Sequence, residues 1–185
     1  MNRSLFEMHW QYYLSIENAL LKTNQYVTHS NKNKDVYSDE FASILLLSCS
    51  ELDSLFKQLC ISTGHSKKGK YFTMTDYAQV IQSIFSNDFG ISTGINTIND
   101  DSIIIFPFEN IDASKPYANL TWWKDYQSIK HDRISNVSKG NLINVAYAVG
   151  AQYMILRQLI EFMDESEGQN YLKKNYWSEY WIPVV

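Results

Sequence analysis

The sequence predicts a mainly α protein: a single up-and-down helical bundle of about five helices with one long irregular connection at about residues 87–119. Three observations carry this. Apolar residues recur at spacings of three, four and seven over long stretches, the period of a helix with one buried face. Capping residues stand just ahead of those stretches. Gly90, Gly94, Pro107 and Pro116 cluster in the one region where the period fails.

Taken in order, residues 4–28 carry Phe6, Trp10, Tyr13, Leu14, Leu20, Leu21 and Val27 on one stripe. An Asn- and Lys-rich loop follows. Ser38 then stands as an N-cap three residues before Phe41, and the next stripe runs Phe41, Ile44, Leu45, Leu52, Leu55, Phe56 and Leu59 to an end near Thr63 and Gly64. Thr73 or Thr75 caps a shorter helix holding Tyr77, Val80, Ile81, Ile84 and Phe85. In the irregular connection, residues 103–108 form a β-like apolar run, which favours a packed cover over a lid. Residues 122–133 contain no Gly or Pro and read as a helix of about three turns. A short turn leads to a long helix at about 138–163, where Ala146, Ala148, Gly150 and Ala151 would let another helix approach closely. The whole forms one domain, with a core at about 5–165 and an aromatic tail at 166–185.

Composition narrows the function. The 185 residues include 9 Phe, 5 Trp and 13 Tyr, with 45% apolar residues, which excludes general disorder. A formal charge of −4 gives no global basic field for nucleic acid, so any such contact needs a local patch. Cys49 and Cys60 sit eleven residues apart on one predicted helix, about 16 Å along its axis, too far for a disulfide. No signal peptide or membrane-length apolar run is visible, and the expected location is the cytoplasm.

Several groupings carry potential chemistry. Residues 64–71 approach the phosphate-loop pattern but place Tyr71 where a small hydroxyl should hold magnesium, and no strand precedes them. A solvated basic turn is the better reading. His9, His29, His65 and His131 are scattered without metal-ligand spacing, so no metal or cofactor is expected. Glu17 and Glu51 fall within or beside apolar stripes, where a carboxylate must be paired. Lys57, Lys130, His131 and Arg133 are candidate partners, and either acid could support a catalytic imidazole.

The densest grouping is residues 122–133. Lys124, Gln127, Ser128 and His131 share one face, with Trp123 at its border. Trp122, Trp123, Tyr126 and Ile129 could be core, or with Gln127 could wall a site and stack a base. His131 suits proton transfer near neutral pH, and Lys124, Lys130 and Arg133 suit phosphate oxygens. Such a set, without metal, is sufficient in principle for attack of an RNA 2′-hydroxyl on its own phosphate. In the tail, Tyr176, Trp177, Tyr180 and Trp181 pair at i,i+4 spacing and would suit a protein interface on a short helix.

Three segments resemble the HEPN superfamily (higher eukaryotes and prokaryotes nucleotide-binding domains): Tyr-Ser-Asp-Glu-Phe at 37–41, Cys-Ser-Glu-Leu-Asp with Lys at 49–57, and Trp-Trp-Lys-Asp-Tyr-Gln-Ser-Ile-Lys-His-Asp-Arg at 122–133 before a small-residue helix. The resemblance spans about residues 5–165. It implies an α-helical bundle, a homodimer formed across the motif helix, and metal-independent ribonuclease activity or RNA binding in bacterial toxin or phage-defence systems. The family signature is an Arg, a polar residue, then a His, with about four to six residues between the Arg and the His. Here Lys124 stands upstream with six residues between, and Arg133 follows, so only His131 carries over directly. The alternative is a non-catalytic interaction or dimerisation module.

Overall fold

A computed structural model describes residues 1–66, 69–85, 89–93, 101–163 and 175–184. It is mainly helical, with α1 (Arg3–Thr23), α2 (Asp39–Ser62), α3 (Met74–Ile84), α4 (Thr121–His131), α5 (Arg133–Asn136) and α6 (Leu142–Ile160). Three short strands join them: β1 (Gly90–Thr93), β2 (Ile104–Ile105) and β3 (Trp181–Val184). Among the described residues no helix is long and apolar enough to cross a membrane.

Helix ends follow the capping residues. Ser38 accepts from the Phe41 N–H at the start of α2, and Thr73 forms a reciprocal capping box with Asp76 at the start of α3. Helix α2 closes in a Schellman arrangement, with Gly64 at φ +70° and the His65 N–H donating to the Cys60 carbonyl at 2.9 Å.

Helix α6 has no fully exposed residue, and α1, α2 and α4 all pack on it. Its small residues do admit a close neighbour, but at Gly150 that neighbour is the sheet rather than a helix. A Cβ at Gly150 would lie 2.5 Å from Ile105 Cδ1 and 2.8 Å from Ile91 Cδ1. The sheet is antiparallel in the order β2-β1-β3, with Ile91 opposite both Ile105 and Pro183. Pro183 has no N–H to donate and sits on an edge strand, where that loss is tolerated. Thus the apolar run at 103–108 becomes an edge strand and buried cover, with Ile103, Ile105 and Phe108 in the core. Phe108 packs against the rings of Phe85 and Phe56 at 5.1 and 6.3 Å. Cys49 and Cys60 are buried free thiols, and burial beside Asp76 pushes Cys60 up to about 12.

The tail departs from expectation. Residues 176–180 form no helix, and Tyr176, Tyr180 and Trp181 are buried. Tyr176 meets the Phe6 and Trp10 rings edge-on at 5.0 and 5.3 Å. These three aromatics belong to the core, with Tyr176 covering part of α1. Trp177 alone stays half exposed, with the Arg157 guanidinium 5.3 Å over its ring. Tyr176, Tyr180 and Trp181 are thus core residues, and of the four tail aromatics Trp177 is the one left at the surface.

A buried histidine anchors the tail. Thr23 Oγ donates to the Leu20 carbonyl at 2.6 Å, so it accepts from His29 Nε2–H at 2.8 Å. His29 Nδ1 is then bare and accepts from the Tyr180 hydroxyl at 2.6 Å. Burial lowers His29 to about 4. The unfolded chain takes up a proton near 6.5 that the folded chain refuses until about 4. This contribution to stability is full above that window and declines as pH falls through it. Glu17, raised by burial, titrates in the opposite sense. Urea unfolding from pH 7 to 4 should therefore show a stability slope that a His29→Phe variant loses while the Glu17 slope persists.

Gly140 offers a steric test. A Cβ there would lie 2.6 Å from Ala42 Cβ and 2.8 Å from Ala42 Cα, and helix backbone cannot step aside as a side-chain tip can. Gly140→Ala should cost about 2 kcal/mol in urea unfolding.

Candidate functional site

Helix α4 divides its residues between two environments. Trp122, Trp123, Tyr126 and Ile129 are buried against α2 and α6. The Trp122 indole donates to the Pro107 carbonyl at 3.2 Å, and Trp123 packs on Phe56 at 5.7 Å. Trp122, Trp123 and Tyr126 are thus core residues, too deeply buried to stack a base. Gln127 is half buried at the boundary.

The outer face carries the polar groups. Lys124 turns back to the Ala118 carbonyl at 3.0 Å. Lys130 lies over the Tyr126 ring at 5.6 Å, the geometry of a cation–π contact. His131, the last residue of α4, is exposed and makes no hydrogen bond or ion pair among the described residues. Asp132 then caps α5 through the Ser135 N–H, which pulls its carboxyl below the ordinary value. Arg133 pairs with Asp39 at the start of α2. Lys130, His131 and Arg133 therefore share one end of the molecule, while Lys124 serves the other end of the helix. The four do not converge in a single crevice.

Neither candidate acid joins them. Glu51 on α2 pairs with His9 of α1. Glu17 is buried and accepts from the hydroxyls of Tyr13 and Ser178. The Ser178 oxygen also accepts the Tyr180 and Trp181 N–H groups, each at 2.9 Å. Burial raises the Glu17 carboxyl, and the two hydroxyl donors partly oppose that rise. Among the described residues neither acid bonds to Lys57, Lys130, His131 or Arg133.

Lys139 is the residue that sequence reasoning missed. It donates to Ser128 Oγ at 2.8 Å and lies 3.5 Å from Asp125, while Asn144 holds Asp125 at 3.0 Å. The turn through α5 folds Lys139 back on α4, which helical arithmetic along one rod does not reach. Its only sequence signal is a lysine just ahead of the Asn141 cap of α6. Lys139 adds a cation beside Ser128, paired there with Asp125. Among the described residues no group of three or more His, Cys, Asp or Glu is placed to hold a metal ion.

The basic turn at 64–71 lies in part outside the described residues; Lys70 and Tyr71 are exposed, with the ammonium 5.3 Å over the ring.

Because the Arg133–Asp39 pair is solvated on both sides, with side chains 52% and 76% exposed, it contributes little to the fold. Arg133→Ala should change unfolding free energy by less than about 1 kcal/mol in a urea titration. That leaves the substitution usable as a probe of binding.

Compared with models of known protein families, with curated proteins and with solved structures, the chain matches none.

Proposed function

We propose that the protein binds RNA at the α4–α5 end and, as a pair of copies meeting there, cleaves it without metal, with His131 as the proton-transferring group. One observation carries this reading. The core consumes the whole apolar face of α4, yet the outer face ends in an imidazole that has no hydrogen-bond or ion-pair partner among the described residues, flanked by Lys130 and Arg133. These cations would neutralise phosphate, and an unpaired imidazole is available as base or acid.

A second observation favours pairing of copies. Ile134, the residue after Arg133, is 89% exposed, and Tyr37, beside the Asp39 that holds Arg133, is 54% exposed. An aliphatic side chain that exposed, next to a cationic cluster, suits an interface. A single copy offers one imidazole at this end among the described residues. A second copy across the same end would bring its own His131 and Arg133 to the phosphate. The reading accords with the HEPN resemblance of residues 122–133.

Fluorescence anisotropy with a labelled single-stranded RNA tests the binding. Lys130→Ala and Arg133→Ala should each weaken affinity several-fold and lower the log–log salt slope by about 1 or slightly less. His131→Ala should bind normally but abolish cleavage that the unaltered protein retains in excess chelator. Cleavage that survives His131→Ala, or stops with chelator, refutes the catalytic assignment. Affinity indifferent to salt and to both cation substitutions refutes the binding surface.

A further inference from the structure

The connection ahead of α4 is held in place rather than draped over the core. Four side-chain donors each fix one of its carbonyl oxygens. Trp122 takes Pro107 at 3.2 Å, Gln82 takes Ile111 at 2.7 Å, Lys124 takes Ala118 at 3.0 Å, and Asn119 takes Asn110. Asn110 has φ 54°, in the left-handed region that asparagine tolerates better than most residues. A segment fixed at so many points keeps its shape without a ligand.

That shape encloses an open polar cleft of about 610 Å³, within the size range of small-ligand sites. Glu109, Asn110, Asn119, Thr121 and Tyr147 line it, with Phe106 as an aromatic wall. Glu109 is the charged residue among those that line the space. The Glu109 side chain makes no hydrogen bond or ion pair among the described residues. Thr121 opens α4, and its N-cap, Leu120, supplies no side-chain oxygen to the first turn. The cleft therefore sets an acceptor-only carboxylate against the Asn119 amide and the Thr121 hydroxyl at the start of α4.

We infer that this cleft takes a guanine base. A carboxylate accepts two parallel hydrogen bonds, and the Watson–Crick edge of guanine offers two adjacent donors, N1–H and N2–H. Adenine and cytosine set a ring-nitrogen lone pair against the carboxylate, and uracil offers one N–H between two carbonyls. The second N–H of the Asn119 amide and the Thr121 hydroxyl suit the guanine O6 and N7 acceptors. The inference rests on the RNA-binding reading in one respect: Thr121 and His131 lie at opposite ends of α4, about 15 Å apart. A short single strand can reach both. The cleft would then choose a base, and the far end of the helix would meet the phosphates.

Calorimetry on the full chain with GMP, AMP, CMP and UMP tests the cleft alone. GMP should bind at least about ten-fold more tightly than the other three, and Glu109→Gln should remove that preference. Because Glu109 is exposed, the variant should melt at the unaltered temperature. Equal binding of all four nucleotides, no binding of any, or a GMP preference untouched by Glu109→Gln overturns the inference. Lys130→Ala separates it from the RNA reading, since it should weaken RNA binding while leaving GMP affinity unchanged. If GMP selectivity holds but RNA affinity ignores Lys130, the cleft stands and the phosphate surface fails. If RNA affinity responds but GMP does not bind, only the cleft fails.

Discussion

The burial of α6 on every side is the constraint around which the molecule is arranged. A helix apolar on nearly all sides cannot face water, so neighbouring elements must cover it. Helices α1, α2 and α4 take three flanks, and the small sheet covers Gly150, where only hydrogen at Cα leaves room for Ile91 and Ile105. The polar residues within α6 are placed accordingly. Gln152 accepts from Ser48 of α2 at 3.0 Å, and Asn144 reaches Asp125 of α4. Those two contacts fix the rotation of α6 against its neighbours, which apolar packing alone leaves less specified.

From that arrangement follows the double character of α4. Its aromatic face serves the bundle, and its solvent face presents cations at one end and a polar cleft at the other. The two roles do not compete, because helical periodicity assigns them to different residues. The same geometry explains why the indoles at Trp122 and Trp123 are poor choices for nucleic-acid contact despite their type: buried area, rather than chemistry, decides what each can touch.

Much of the helical frame was legible in the sequence, because it depends on local signals. Ser38 and Thr73 cap helices where their side chains have only to reach the third residue onward, and the stripes of α1 and α2 lie where the period puts them. The sheet was not legible as such. Strand β3 is four residues long with Pro183 inside it, and its partner β1 lies about 90 residues earlier. Glu17 and Glu51 were recognisable as acids needing partners, yet the partners are set by packing across the chain. Ser178 lies 161 residues from Glu17, and His9 lies 42 from Glu51. At the candidate site, residue types on α4 were readable, but the turn that returns Lys139 to Ser128 was not, since it depends on how α5 bends the chain.

The clasp formed by Glu17, Ser178, His29 and Tyr180 bears on the order of folding. Loop-closure entropy must be met before contacts of such long sequence separation can form, so this joint forms late. Until residues 176–181 arrive, α1 displays the Phe6 and Trp10 rings and a carboxylate that lacks its Ser178 donor. A chain emerging from the ribosome therefore exposes a greasy flank along α1 until residues 176–181 have followed it. During that interval chaperones and proteases have their best opportunity to engage it.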